Sequence, residues 1–353
     1  MITSIRLQNF RSYKDSAFEF ESGTNIIVGP NASGKTNLLE SVYYVCSMGA
    51  FRSSDHHNIQ TGKNWARIDA TTDDNQRRTL KLTEENGRVN KNFEIDEVVK
   101  KRPTAKESIP VVLFEPNQLY ELVTSPEERR SFIDSLACQI YPENTVAISS
   151  YKRALSQRNR LLKMGRKDAE QSIFAWNIRL SEFAETIVTR RLELIEELNK
   201  TLAENYTEIA GDKYLLIVGY QSKIASASNY ATRLLQALEQ NLEKDLARGF
   251  TSVGPHRDDL LLELNNNDVR SFASRGETRT AILALKKCET TLLEQKTGKK
   301  PILLFDDVFS ELDGKRRKLL TGFLSTNQTL ITTTDADIID KSYAQKTQLI
   351  KLK

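Results

Sequence analysis

The segment GPNASGKT, residues 29–36, constrains the fold of this chain more than any other feature. It fits the pattern G-x-x-x-x-G-K-[ST], a loop whose backbone N–H groups and lysine surround the phosphates of a nucleotide. The apolar run TNIIV before it predicts a buried strand, and residues 37–46 after it predict a helix. This order places the positive end of the helix at a bound anion. The segment therefore predicts an α/β nucleotide-binding domain built on a parallel sheet.

Within this phosphate loop, Lys35 is predicted to reach the outer phosphates and the Thr36 hydroxyl to ligate Mg²⁺. A turn that happens to contain glycine and lysine is the alternative, which the flanking strand and helix disfavour. No NKxD segment of the kind that reads guanine is present, so the predicted cofactors are ATP and Mg²⁺. The predicted ATP-binding residues of the loop are Gly29, Pro30, Asn31, Ala32, Ser33, Gly34, Lys35, Thr36 and Asn37.

The composition narrows the class of protein. The length of 353 residues indicates two domains or one domain with a large insertion. Hydrophobic residues make up 39% and charged residues 28%, which suits a soluble globular protein. No apolar run approaches the about 18 residues of a membrane span, and the N-terminus lacks the apolar core of a signal peptide. The three cysteines lie far apart, without the spacing of a metal site. We therefore expect a cytoplasmic protein.

The hydrophobic pattern divides the chain into three parts. Up to residue 118, alternating apolar positions and polar turns predict antiparallel hairpins, and IPVVLF at 109–114 predicts a strand covered on both faces. Residues 119–250 have mostly helical periodicity, and SPEERR there begins with a serine cap and a proline. An α/β pattern returns from Ser271 to the end of the chain. We predict an ATPase domain formed by 1–118 and 251–353, with a mostly helical arm domain, 119–250, inserted.

A seven-residue repeat of apolar residues characterises part of the predicted arm. Apolar residues recur every seven positions at Ile173, Leu180, Ile187 and Leu194. Trp176 and Phe183 fill the intermediate core positions, but Arg190 and Glu197 occupy the later ones, so a compact helical insert is favoured over a long coiled coil.

The segment 152–167 contains seven basic residues and no acidic one. It predicts either a helix that binds DNA phosphates or an ordinary solvated surface, and the spacing does not decide between them. The candidate DNA-binding residues are Lys152, Arg153, Arg158, Arg160 and Lys163.

The segment PILLFDD predicts the second half of the nucleotide site. Four apolar residues followed by carboxylates are typical of a central parallel strand with functional groups at its C-terminal end. Asp306 is predicted to hold Mg²⁺, and Asp307 to orient or deprotonate the attacking water. Paired acids that merely begin an exposed loop are the alternative.

The segment SRGE precedes a predicted helix. Ser274 and Glu277 have the spacing of a capping box, and the local pattern favours this structural role over ligand binding. Ser274 and Gly276 at a helix start also predict an anion site, within the segment Ser274, Arg275, Gly276 and Glu277.

Together these motifs resemble those of the ABC-type ATPases that act on chromosomes and DNA breaks, and more narrowly the RecF family of bacterial DNA gap-repair proteins. The resemblance is carried, in chain order, by LQNFRSY (7–13), GPNASGKTNLLE (29–40), SPEERRSFID (125–134), YKRALSQRN (151–159), VGPHRDD (253–259), FASRGE (272–277) and DDVFSELD (306–313). It covers nearly the whole chain.

The resemblance implies a composite site, in which the signature segment 274–277 of one subunit caps the nucleotide held by the phosphate loop of another. It further implies a phosphate contact from Arg11, and an adjoining D-loop that contains Ser310 and Asp313. Thr333 or Thr334 stands where the superfamily has a switch histidine.

Two departures from the RecF pattern, and one from the pattern of most ABC ATPases, stand out. Glu277 replaces the usual glutamine, and since glutamate still caps a helix we expect little loss. Asn117 and Gln118 replace acids, which weakens any metal or water contact from that loop. Asp307 replaces the glutamate of most ABC ATPases, as in RecF proteins, and this fits a slow switch.

His256, Asp258 and Asp259, on either side of Arg257, suggest either a metal site or a contact between the arm and the ATPase domain. One histidine and two acids close in sequence rarely converge on one ion, so we expect the contact.

The expected function is that of an ATP-dependent DNA-binding switch. By resemblance, ATP joins two copies head to tail on duplex or gapped DNA, slow DNA-stimulated hydrolysis releases them, and the partners are RecO and RecR, which promote RecA loading. Two alternatives are the ATPase subunit of a membrane transporter and a non-hydrolysing DNA scaffold in which ATP is structural.

Overall fold

The phosphate loop follows a strand of a five-stranded parallel sheet. It is described here from a computed structural model, which covers residues 1–47, 55–100, 104, 107–164, 166–211, 214–224, 229–311, 314, 326–334 and 347–352. In spatial order the strands are β14 (Thr347–Lys351), β3 (Thr24–Val28), β13 (Thr329–Thr333), β12 (Ile302–Asp306) and β8 (Val111–Phe114). Every residue of β8, β12 and β13 is buried, so the strands predicted at 109–114, 301–305 and 329–333 are confirmed.

A second sheet has six antiparallel strands, all between residues 2 and 100. Its strands, in spatial order, are β2 (Tyr13–Glu19), β1 (Ile2–Phe10), β4 (Trp65–Thr72), β5 (Arg77–Glu85), β6 (Arg88–Ile95) and β7 (Val98–Lys100). Asn75, Asn86 and Gly87 have positive φ angles in the turns between these strands, where asparagine and glycine are favoured. The hairpins predicted from the alternating pattern are confirmed.

Helix α1 (Lys35–Ser47) and both sheets share one hydrophobic core. Leu38 and Val42 of α1, Ile5 of β1 and Leu304 of β12 are all buried in it. Because α1 begins at the phosphate loop, this core fixes the loop relative to both sheets.

The described chain forms two compact units, residues 1–118 with 293–353 and residues 119–292. The second unit contains α3 (Pro126–Ile140), α4 (Pro142–Met164), α5 (Arg166–Ala210), β9 (Leu216–Gln221), α6 (Tyr230–Gln240), α7 (Leu242–Arg248), β10 (Asp259–Leu264), β11 (Asn267–Asp268) and α8 (Val269–Phe272). Helices α2 (Pro116–Thr124) and α9 (Arg275–Thr297) each include a boundary. Residues 251–292 thus lie in the second unit, and the assignment of 251–353 to the ATPase domain stays a prediction.

The second unit is mostly helical, and the apolar residues of the predicted seven-residue repeat are buried in it. Ile173, Leu180, Ile187 and Leu194 are each at most 2% exposed, and Ser125 caps α3 by accepting from the Glu128 N–H. Strand β9, however, interrupts the predicted helical run. It pairs with β10, which lies outside that run, so a local pattern could not reveal it. The helix predicted at 315–324 lies outside the described residues. None of the described helices is both long and apolar enough to cross a membrane.

Candidate nucleotide site

The phosphate loop is tightly wound between β3 and α1. The Ser33 N–H donates to the Pro30 carbonyl at 3.2 Å, and the φ angles of Ala32 and Gly34 are 67° and 99°. Pro30 and Ala32 are exposed, whereas Gly34 is buried against the start of α1. The loop therefore has one open side and one side fixed to the protein.

Close contacts explain both glycines of the motif. A Cβ atom on Gly29 would lie 2.6 Å from the Ser33 hydroxyl. A Cβ atom on Gly34 would lie 2.9 Å from the Ser12 hydroxyl and 3.0 Å from the Tyr13 hydroxyl, and the positive φ of Gly34 also disfavours any other residue. The path of the loop thus requires glycine at position 34 and leaves little room for a side chain at position 29.

The ammonium group of Lys35 is held inside the loop. Its Nζ donates to the carbonyl oxygens of Gly29 at 2.7 Å and Pro30 at 2.8 Å, and the residue is only 8% exposed. These carbonyls accept hydrogen bonds without neutralising the charge. The lysine therefore supplies a positive charge where the motif places phosphates.

Thr36 and Asp306 meet at the C-terminal edge of the parallel sheet. The Thr36 hydroxyl lies 2.8 and 3.0 Å from the two oxygens of the Asp306 carboxylate, and the Thr332 hydroxyl donates to the same carboxylate at 2.8 Å. Hydroxyl and carboxylate oxygens are ligands of the kind that Mg²⁺ prefers. Thr36 and Asp306 therefore fit a magnesium site, in which they would hold the ion directly or through water.

The two acids occupy different environments. Asp306 is 4% exposed at the end of β12, so the alternative of an exposed acidic loop is wrong for this residue. Asp307 has a positive φ of 53°, and its N–H lies 3.0 Å from the Thr332 hydroxyl. A non-glycine residue in this conformation is strained by on the order of 1 kcal/mol. The chain therefore turns sharply between the two carboxylates.

The turn between β1 and β2 lies against the start of α1. Arg11, the predicted phosphate contact, forms an ion pair with Glu40 at 2.5 Å. Asn37, also predicted to contact ATP, donates to the Ser12 hydroxyl at 2.9 Å. Both residues thus lie against the first turns of α1 and contact protein groups there, and their contacts with ATP stay predictions.

The resemblance also implies switch and D-loop residues in the first compact unit. Thr333 ends β13 and is fully buried, whereas Thr334, the next residue, is exposed. Ser310 belongs to a short 3-10 helix (Val308–Glu311), but its side chain and Asp313 lie outside the described residues. These D-loop and switch assignments stay predictions.

The signature segment lies in the second compact unit and forms the predicted capping box. The Glu277 carboxylate accepts from the Ser274 N–H at 2.8 Å, and the Ser274 hydroxyl accepts from the Glu277 N–H at 3.3 Å. These bonds lower the pKa of Glu277, so glutamate caps the helix in place of the family's glutamine. Ser274 and Arg275 remain exposed, and the serine hydroxyl can still donate its hydrogen to an anion.

The basic segment has two faces on α4. Arg158 is fully buried, and its guanidinium contacts the side chains of Asn177 at 2.7 Å, Asp245 at 2.8 Å and Thr251 at 2.8 Å. Its inclusion among the DNA-binding candidates is therefore wrong, because a guanidinium enclosed by these partners is not accessible to a phosphate. The other candidates are exposed: Lys152, Arg153, Arg160 and Lys163.

His256 is held in one tautomer by two neighbours. The Thr251 carbonyl, 3.1 Å from Nε2, can only accept, so Nε2 carries the hydrogen. Nδ1 then accepts from the Tyr151 hydroxyl at 2.7 Å. Burial lowers the pKa of His256 to about 4, so the ring is neutral at ordinary pH.

Asp258 and Asp259 are also occupied by protein partners. Asp259 accepts two bonds from the Arg129 guanidinium, at 2.8 and 2.7 Å, and Asp258 accepts from the Tyr220 hydroxyl at 2.6 Å. In the described part of the chain, no group of three histidine, cysteine or acidic side chains is arranged to hold a metal ion. The contacts of Asp258 and Asp259 join this segment to β9 and α3 within one compact unit. A role of the segment in docking onto the ATPase domain stays a prediction.

Sequence reasoning missed three side chains of the site. Thr332 binds Asp306 from the strand beside it, and Ser12 and Tyr13 contact the loop from a hairpin turn. A threonine that ends a buried strand was the available signal for Thr332. The contacts of Ser12 and Tyr13 depend on how a distant hairpin packs, which the motif does not specify.

Fold and site together define an ATP-binding head of the type that RecF, RecN and SMC proteins share. The family described as the RecF/RecN/SMC N terminal domain matches residues 1–352. Within this class, the chain belongs to the RecF family.

Curated relatives and solved structures support this assignment. The DNA replication and repair protein RecF of Agathobacter rectalis is 35% identical over 98% of this chain and 95% of its own length. RecF of Acetivibrio thermocellus is 31% identical over 96% and 94%. A solved structure described as the recombination mediator protein RecF-ATPrS in the RecFOR pathway is 28% identical, with a TM-score of 0.86, and covers 96% of this chain and 94% of its own. An Smc head domain from Pyrococcus furiosus, 15% identical with a TM-score of 0.53 over 100% of this chain and 94% of its own, shares the fold.

Proposed function

We propose that this protein is an ATP-dependent DNA-binding switch of recombinational gap repair and replication-fork recovery. The curated relatives are named for DNA replication and repair, and the similar solved structures are described as a recombination mediator with ATP in the RecFOR pathway. RecO and RecR are the expected protein partners, with RecA loading as the outcome. Membership of the RecF family removes the support for a transporter subunit.

The observation that carries the proposal is the contact between Thr36 and Asp306 beside the phosphate loop. In this arrangement the two side chains hold Mg²⁺, and Lys35 offsets phosphate charge. Asp307 orients the attacking water, and its shorter side chain suits the slow hydrolysis of a switch. Mg²⁺ supplies charge neutralisation at the phosphates.

Exposure of the signature segment supports a composite site in a head-to-tail dimer. Ser274 and Arg275 are exposed at the start of α9, and Phe272 just before them is 73% exposed. Exposed aromatic side chains are enriched at protein interfaces. In the dimer, Ser274 and Gly276 of one copy face Lys35 and Thr36 of the other.

The exposed basic residues of α4 supply the proposed DNA contact. Each phosphate that Lys152, Arg153, Arg160 or Lys163 neutralises releases counterions and steepens the salt dependence of affinity. Closure of the ATP-bound dimer on DNA, followed by hydrolysis, then couples nucleotide state to DNA release.

Mass in solution tests the proposal. We expect dimers with Mg²⁺ and ATP, monomers with ADP, and a more persistent dimer when gapped duplex is added. A monomer under all these conditions would refute the switch. If Asp307→Asn leaves ATP turnover unchanged while DNA binding persists, a scaffold with structural ATP replaces the switch.

A further inference from the structure

Three consecutive side chains, two in the turn after β1 and one at the start of β2, contact Gly34 and two residues of α1 in antiparallel order. Their partners are spaced three residues apart, so they share one face of the helix start. The pairs are Tyr13 with Gly34 at 3.1 Å, Ser12 with Asn37 at 2.9 Å, and Arg11 with Glu40 at 2.5 Å. We call this set of contacts the turn–helix ladder.

The bond from Tyr13 fixes a peptide group of the phosphate loop. The Tyr13 hydroxyl donates to the Gly34 carbonyl, which also accepts the first helical hydrogen bond, from the Leu38 N–H at 3.0 Å. In a trans peptide the carbonyl and the following N–H point in opposite directions. Holding the Gly34 carbonyl toward Tyr13 therefore directs the Lys35 N–H to the opposite side, away from these partners.

Tyr13 is itself held firmly. It is 8% exposed, and its ring packs edge-on against Phe18 with centroids 5.6 Å apart. Burial raises the pKa of Tyr13 to about 12, so its hydroxyl keeps the hydrogen that it donates. Gly34, with its φ of 99°, lies so close to this hydroxyl that a side chain would collide with it.

The other end of the ladder anchors the turn. Arg11 has a φ of 54°, and its N–H donates to the Asn58 carbonyl at 3.0 Å. Its guanidinium pairs with Glu40, which is 1% exposed. The turn thus has fixed backbone and side-chain positions, and it can impose a geometry on the loop.

We propose that the turn–helix ladder is a positioning device, in which Tyr13 and Ser12 hold the phosphate loop in its anion-receptive form before a nucleotide arrives. Neither residue needs to touch the nucleotide, because each acts through Gly34 or Asn37. Preorganisation of this kind raises affinity by reducing the ordering that binding requires. The inference rests on the proposed function only in taking ATP as the ligand of the loop.

The test is nucleotide titration of Tyr13→Phe, which removes one hydroxyl and keeps the ring. Loss of one neutral hydrogen bond should weaken MgATP and MgADP binding to the monomer about 3- to 10-fold. Because the loop binds ground and transition states alike, KM should rise while kcat stays unchanged. Ser12→Ala should act in the same direction with a smaller effect, and it provides a second route if Tyr13→Phe does not fold.

Tyr230→Phe is the matched control, since Tyr230 is a buried tyrosine of the other compact unit. It should leave nucleotide affinity unchanged. Wild-type affinity in both Tyr13→Phe and Ser12→Ala, or a fall in kcat at constant KM, would overturn the inference. Failure of the wild-type protein to bind ATP would instead refute the proposed function, so the two failures are distinguishable.

Discussion

Burial keeps His256 neutral in the folded protein, with a pKa of about 4 against 6.5 in an unfolded chain. Between these pH values the unfolded state binds a proton that the folded state does not, so protonation favours unfolding. The contribution of His256 to stability is therefore complete above about pH 6.5 and is lost as the pH falls toward 4. The full difference corresponds to at most about 3 kcal/mol.

Denaturant unfolding of the wild type and His256→Gln between these pH values measures this effect. Glutamine offers a donor and an acceptor but does not titrate. The stability advantage of the wild type over the variant should shrink by about 2–3 kcal/mol as the pH falls. A constant difference across the range would show that the folded protein tolerates the charged ring.

At the scale of elements, α4 separates a structural charge from the proposed DNA-binding charges. Reversing two exposed charges, as in Arg160→Glu with Lys163→Glu, should reduce the slope of log affinity against log salt by about 2, because each phosphate contact contributes about 0.9. Measuring binding to duplex DNA over a salt series tests this, with exposed Lys200 and Arg233 reversed together as the matched control.

Arg158→Ala should behave differently, because its loss leaves the buried Asp245 carboxylate without its partner. The expected cost is about 3–5 kcal/mol in the free energy of unfolding. If the double variant Arg160→Glu with Lys163→Glu leaves the slope of log affinity against log salt unchanged, the outer face of α4 is an ordinary solvated surface.

How far the sequence predicts an element depends on how local its determinants are. The phosphate loop, the cap at Ser125 and the strand that ends at Asp306 follow from residues adjacent in sequence, and all were predicted. Strand β9 depends on pairing with β10, and burial of Arg158 depends on Asp245 and Thr251, far along the chain. Charge and spacing alone do not distinguish a guanidinium that faces water from one that faces a distant carboxylate.

At the scale of the whole molecule, the two compact units hold different halves of the proposed composite site. Lys35, Thr36, Asp306 and Asp307 belong to one unit, and the signature segment belongs to the other. If two copies associate head to tail, each nucleotide is bound by residues of both copies. A substitution in the phosphate loop of one copy and a substitution in the signature segment of the other copy then disrupt the same composite site. The arrangement can therefore be tested by mixing two variants.

Lys35→Ala should abolish nucleotide binding and dimerisation, whereas Ser274→Arg should keep nucleotide binding by the monomer and block dimerisation by steric and charge conflict. Mixing the two variants should restore one composite site, because Ser274→Arg supplies an intact phosphate loop and Lys35→Ala an intact signature segment. Mass measurements with MgATP should therefore show a heterodimer in the mixture and monomers in each separate sample, with a mixture of Lys35→Ala and Lys35→Ala/Ser274→Arg staying monomeric as the control. A normal dimer of Ser274→Arg alone would refute the proposal that the signature segment acts on the partner's nucleotide.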